Sequence, residues 1–186
     1  AAARKLMASG RLDGVVIILA GDSQGREAYA ESLKVQIAQG GLEGTVRLVG
    51  HVADMPAAFA ASAAAIVASV EPEAFGRTAT EAQAMGCPVI ATNIGAPPET
   101  VLSEPAVTKI EATGWLVPPG DAQALSQALE RLLELRAEEV SAMAERSRKR
   151  VSEQFSLNSM KTKTLAVYDE LLQTELRKSF LHSSRS

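Results

Sequence analysis

Five short apolar runs, each separated from the next by a helical stretch, restrict the fold of this chain more than anything else in it. Residues 14–20 (GVVIILA) are continuous and rich in β-branched side chains, the pattern of a strand buried on both faces. Residues 45–49, 64–70, 89–92 and 114–117 repeat the theme. Between them lie helical segments with recognisable ends. Residues 26–39 form an amphipathic stretch, with Ala30, Leu33, Ile37 and Ala38 near one face, stopped by Gly40-Gly41. Asp54 is placed to cap a helix running to residue 61, with Pro56 in its first turn. Residues 77–85 end at Gly86 and Pro88, and Pro97-Pro98-Glu99 opens a brief helix. Asp121 caps a helix to about residue 135, with Leu125, Ala128, Leu132 and Leu135 on its buried stripe. Two longer helices follow, over 137–155 and 157–180, and residues 183–186 are expected to fray. Apolar strands alternating with helices predict an α/β fold, a doubly wound parallel sheet with helices on both faces.

The doubly wound nucleotide-binding arrangement has six strands with the first in the centre. Only five are counted here, and the chain opens on a half helix over residues 1–10. The expectation is therefore a Rossmann-like domain over residues 1–154 whose first strand is missing, leaving a slot in the sheet. Residues 155–186 would form a C-terminal helical segment beyond it.

Composition removes several function classes. The 186 residues carry a net charge of −3, against the basic excess that a nucleic-acid surface requires. A single cysteine, Cys87, excludes an intrachain disulfide and an all-cysteine metal site, and two histidines make a protein metal centre an unfavoured expectation. No apolar run approaches the ~20 residues of a membrane span, and no signal peptide opens the chain, so the cytoplasm is the default compartment. Cys87 is expected to be a buried, inert thiol, Trp115 a packing residue, and residues 136–150 a solvated helix face. The turn LAGDSQG is not the G-x-G-x-x-G fingerprint of a dinucleotide oxidoreductase.

Chemistry concentrates in residues 73–95, EAFGRTATEAQAMGCPVIATNIG. A strand, a loop and a helix N-terminus in succession place unpartnered backbone amides where parallel α/β folds bind anions. Gly76 permits close approach of a ligand, and Arg77, Thr78 and Ala79 then offer their N–H groups. Glu81 lies one turn further on, suited to accept from a ribose beyond a phosphate, while Glu73 can accept from sugar hydroxyls. The spacing equally allows a plain surface ion pair between Arg77 and Glu81 with Glu73 solvated.

The wider stretches PEAFGRTATEAQAMGCPVIATNIGAPPETV and TGWLVPPGDAQALSQAL resemble the C-terminal donor-binding domain of retaining GT-B glycosyltransferases, the group 1 family. LAGD at residues 19–22, RLVGHV at 47–52 and Phe155-Ser156 are also similar, so the resemblance spans nearly the whole chain in order. It implies a donor site for a nucleoside-diphosphate sugar, with no cofactor, no obligatory metal and no nucleic acid. Glu73 would be the catalytic-site acid holding the donor sugar. Phe75 and Gly76 would supply amides beside it, Arg77 and Thr78 amides to the diphosphate, and Glu81 the ribose contact. Val52 would meet the base, and Gly21-Asp22 would line the cleft. The family's basic pair, on the first strand and following helix, has no counterpart here. Asn93 stands where Asp is frequent, and Ala96-Pro97 replaces a Gly-rich turn. The implied partner is an N-terminal acceptor-binding domain, without which the chain is expected to be inactive. The implied acceptors include ones at a membrane surface, which would place the protein peripherally at the inner face.

Overall fold

The computed structural model describes residues 1–183. Five strands and nine helices occur among them: α1 (Ala2–Ala8), β1 (Ile17–Ala20), α2 (Glu27–Gln39), β2 (Val46–Gly50), α3 (Met55–Ala61), β3 (Ala65–Val67), α4 (Arg77–Ala84), β4 (Val89–Thr92), α5 (Pro97–Thr100), β5 (Gly114–Val117), α6 (Ala122–Leu133), α7 (Ala137–Gln154), α8 (Leu157–Leu172) and α9 (Leu176–Ser183). Every strand pairing is parallel. The strands form two ladders, β1-β2 and β3-β4-β5. Among the described residues no strand pairing joins the two ladders, and parallel strands alternating with helices are the organisation of a doubly wound α/β domain.

Alternation along β4 divides the core. Val89 and Ala91 face one side, where Ala65, Val67, Phe59 and the α4 residues Ala79 and Ala82 close over them. Ile90 points the other way, into a cluster with Leu6, Val46, Val117, Ala128 and Leu129. This second cluster includes residues of both ladders, so α1 and α6 hold the two together by packing rather than by strand pairing. Small alanines on α4 let that helix lie directly on the sheet, and both are fully buried. Leu129, which the periodicity of α6 did not single out, is buried there beside Ala128.

Three expectations are corrected. The first strand is shorter than residues 14–20 and is not buried on both faces: Ile18 is 58% exposed. The reason is its position, since β1 pairs only with β2 and one face lacks cover among the described residues. Ala38 of α2 is exposed, whereas Ala30, Leu33 and Ile37 are half-buried. The long final helix is two helices. Gln173 adopts a left-handed conformation (φ 53°), and Asp169 then accepts hydrogen bonds from Leu176 N, Arg177 N and Thr174 Oγ1, which starts α9 in a new direction. The expected fraying concerns a segment of which residues 184–186 lie outside the described residues.

The start of α7 carries a measurable electrostatic consequence. Glu139 accepts from Lys109 Nζ at 2.9 Å and from the backbone N–H and side chain of Arg136 at 3.1 and 3.3 Å. The Lys109 hydrogen bond first, then those from Arg136, bring its carboxyl down to about 2 from 4.5. A depressed folded-state pKa gives stability that is present above the unfolded value and is lost as pH falls toward the folded one. The melting-temperature advantage of wild type over Glu139→Gln should therefore shrink between pH ~4.5 and ~2, and salt should reduce it at neutral pH. A pH-independent difference between the two proteins would contradict this origin.

Candidate functional site

The candidate residues all sit at the carboxyl ends of the parallel strands, where doubly wound sheets carry their ligands. They form two groups. At the ends of β1 and β2, Gly21 N donates to Gly50 O at 2.8 Å, which fixes the Gly21-Asp22 turn against the segment leading to Val52. Gly21, Asp22 and His51 are exposed and Val52 is half-buried. The second group follows β3 and contains Glu73, Phe75, Gly76, Arg77, Thr78 and Glu81. No hydrogen bond or ion pair joins the groups among the described residues.

Glu73 is half-buried and is held by residues whose sequence gave no warning of the role. Ser69, just past β3, donates its hydroxyl to Glu73 Oε1. Ser69 is in turn fixed by Thr92 at the end of β4, whose Oγ1 donates to Ser69 O at 2.7 Å. The backbone of Glu73 is gripped from the other side, because Ala96 N donates to Glu73 O at 3.0 Å. Gly95 makes that approach feasible. It has φ +69°, and a Cβ built there would lie 2.6 Å from Glu73 N and 2.7 Å from Glu73 O. The Ala96-Pro97 turn thus acts as a support for the loop. Pro97 Cδ also lies 3.4 Å from where a Cβ on Gly76 would be, so the turn touches both ends of the loop.

Gly76 takes the left-handed conformation (φ 66°, ψ 47°) and serves as the N-cap of α4 without a side-chain cap. Of the three amides expected to be free, one is used internally: Ala79 N donates to Gly76 O at 3.1 Å, and Ala79 is fully buried. Tightening of the first turn consumes that donor. Arg77 and Thr78 keep theirs.

Arg77 and Glu81 form the ion pair that the spacing allowed. Nε and Nη2 of Arg77 donate to Glu81 Oε1 at 3.1 and 2.9 Å. The side chains are 80% and 47% exposed, so the pair contributes only a few tenths of a kcal/mol, about the usual helix i,i+4 value. Both bonds fall on Oε1, which leaves Oε2 of Glu81 able to accept.

Burial of Cys87 disfavours the thiolate that a nucleophile would need, and desolvation pushes the thiol up to about 11. No group of three or more metal-ligating side chains occurs among the described residues. A concavity of about 510 Å³ between α8 and α9 lies apart from the loop, lined by residues including Asp169, Arg177 and His182. Its central carboxylate is occupied with starting α9.

A parallel α/β domain with an acid-bearing loop, two unspent helix-start amides and a second acid one turn on is of the doubly wound class, whose members carry their ligands at the carboxyl ends of the strands. Comparison with known proteins defines the family. Residues 1–150 match the family described as Glycosyl transferases group 1, and the chain belongs to it. The lipopolysaccharide core biosynthesis mannosyltransferase LpsB of Rhizobium meliloti (strain 1021) is 31% identical over 157 residues, 84% of this chain and 43% of that protein. Among solved structures, a glycosyltransferase from Rickettsia africae ESF-5 superposes with a TM-score of 0.77 at 34% identity, covering 87% of this chain and 41% of that one. Anabaena HepE, solved in complex with UDP-glucose, gives 0.74 at 29% identity, over 84% and 41% of the two chains. The fold is that of the C-terminal half of GT-B glycosyltransferases. The chain spans about two-fifths of the length of these relatives.

Proposed function

We propose that this chain is the donor-binding half of a retaining glycosyltransferase, which moves a sugar from a nucleoside-diphosphate sugar to an acceptor such as a glycan or glycolipid. One arrangement carries the assignment: Glu73, aimed by Ser69, stands beside a left-handed Gly76 and the free amides of Arg77 and Thr78. In this arrangement Glu73 accepts from donor-sugar hydroxyls, and the amides of Phe75 and Gly76 flank the sugar. The amides of Arg77 and Thr78 hold the diphosphate and stabilise the charge that grows on it as the bond to the sugar breaks. Glu81 exchanges part of its bonding with Arg77 for the ribose. Val52 and Gly21-Asp22, at the neighbouring strand ends, meet the base and close the cleft. No helix among the described residues is long and apolar enough to cross a membrane. The exposed apolar residues Leu157, Met160, Val167, Leu171 and Leu172 on α8 pack, on this proposal, against the acceptor-binding half of the intact enzyme.

Calorimetric titration of UDP-, GDP- and ADP-sugars into the full-length protein tests the assignment. Glu73→Ala and Glu81→Ala should each weaken the preferred donor about tenfold or more, the order expected when a charged acceptor is removed from a bound hydroxyl. Arg77→Ala should change affinity by about twofold at most, because its side chain only pairs with Glu81 and its amide remains. Absence of binding to all three nucleotide classes would sink the proposal. Binding without sugar release in the presence of glycan and glycolipid acceptors would favour a binding module instead.

A further inference from the structure

The end of α7 contains two side chains that the proposed site does not yet use. Arg150, in the last turns of the helix, sends Nη2 to Glu99 O at 2.8 Å and Nε to Thr100 O at 3.4 Å, so it holds the last carbonyls of α5. Gln83 of α4 donates to the same Thr100 O at 3.2 Å. The Arg150 guanidinium also stacks over the ring of Phe155, 5.5 Å from its centroid. Phe155 then meets Phe75 edge to face, with ring centroids 6.3 Å apart and planes at 74°.

These contacts form a chain from α7 to the loop. On the Glu73 side, the loop is held by Gly95 and Ala96; on the Phe75 side, it is held by Phe155. Phe75 is 47% exposed even with this partner, so loss of the Phe155 ring would leave it with little to hold it. Anchorage of α7 itself is a different matter. Met143, Ala144 and Ser147 are buried, Ser147 Oγ donates to Thr113 O, and Arg146 donates twice to Ala112 O. All of these lie upstream of Phe155, so the helix is docked without it. The aromatic group at the end of α7 therefore faces the loop for a reason other than seating the helix.

We propose that Phe155, steadied by Arg150, is a positioning residue that fixes the donor loop at residues 73–76 through Phe75. This rests on the donor-site assignment made above. Edge-to-face contact selects one orientation of the Phe75 ring and hence one backbone path into Gly76. The amides of Phe75 and Gly76 are thereby set before a donor arrives, which reduces the ordering cost of binding. Arg150 couples the same brace to α5, whose Pro97 lies against Gly76.

Two measurements on the full-length protein test the brace, one with ligand and one without. Without ligand, Phe155→Leu should speed amide hydrogen exchange in residues 73–76 severalfold while leaving β4 unchanged. Unchanged exchange in the loop would overturn the proposal. With UDP-, GDP- and ADP-sugars as probes, Phe155→Leu should weaken the preferred donor about threefold to tenfold, the range of an aromatic pair, and Phe155→Tyr should restore it. The double variant Phe75→Leu/Phe155→Leu should lose no more affinity than the worse single variant, since both remove one contact. Additive losses would mean that Phe155 acts elsewhere, and would also overturn the proposal. If loop exchange responds but wild type binds none of the sugar nucleotides, the brace stands and the donor assignment falls.

Discussion

Gly95→Ala is expected to cost donor affinity by about tenfold to a hundredfold while leaving the protein folded. Two effects act together. An alanine at φ +69° is strained by roughly 1–2 kcal/mol, and its Cβ would press on the Glu73 backbone at 2.6 and 2.7 Å and on Pro72 Cα at 3.1 Å. These are main-chain atoms, which cannot swing aside as the end of a side chain can. The loop must move, and the Ala96 N to Glu73 O bond and the aim of the Glu73 carboxylate move with it. Gly95→Asn separates the causes, because asparagine tolerates left-handed φ but carries the same Cβ. If titration of the preferred sugar nucleotide shows that Asn restores wild-type affinity, strain alone is responsible and the backbone contact is not part of the site. If both variants bind as wild type does, Gly95 does not position Glu73.

Gly114→Ala should be the most destabilising single change in the sheet, by about 3 kcal/mol, or a fall of about 6–12 °C in Tm. Gly114 sits opposite Val89 in the β4–β5 ladder, and a Cβ there would lie 2.3 Å from Val89 O and 2.9 Å from Val101 Cγ1. Val89 and Val101 are fully buried, so neither has free volume to yield. Thermal unfolding checks this directly. Adding Val101→Ala to Gly114→Ala relieves only the side-chain contact, so the double variant should not recover. Recovery would show that the carbonyl adjusts and that Val101 alone sets the limit.

Much of the fold was legible because its signals are local. Asp54 and Asp121 accept from the first amides of α3 and α6, as capping residues placed just ahead of an apolar periodic stretch should. The bounds of β4 and β5 match the apolar runs because both strands are covered by neighbours that the pattern implies. The same reasoning failed for β1. Its composition is that of a buried strand, but burial depends on what lies beside it, and only β2 pairs with it here. The break at Gln173 was missed because no glycine or proline marks it. It depends on Asp169 turning back to accept from residues beyond its own helix.

The site shows the same division. Glu73, Gly76 and Glu81 stand out in the sequence because they surround one helix start, and Arg77 pairs with Glu81 because an i,i+4 spacing brings them together. Ser69 and Arg150 did not stand out, and Thr92, Gly95 and Phe155, though within stretches that resemble the family, had no role assigned in the site, since a serine after a strand or a phenylalanine after a helix has many ordinary uses.

By itself, then, the sequence determined the alternating α/β order, the helix starts and stops, and a loop able to offer acids and amides at a strand end. These follow from periodicity and from backbone groups satisfied within a few residues. Tertiary structure alone decided that Gly95 and Ala96 would hold the Glu73 backbone, that Thr92 would fix Ser69, and that Phe155 would reach Phe75. Those choices need segments far apart in the chain to be brought into contact, which the packing of α4 against β3, β4, α5 and α7 does.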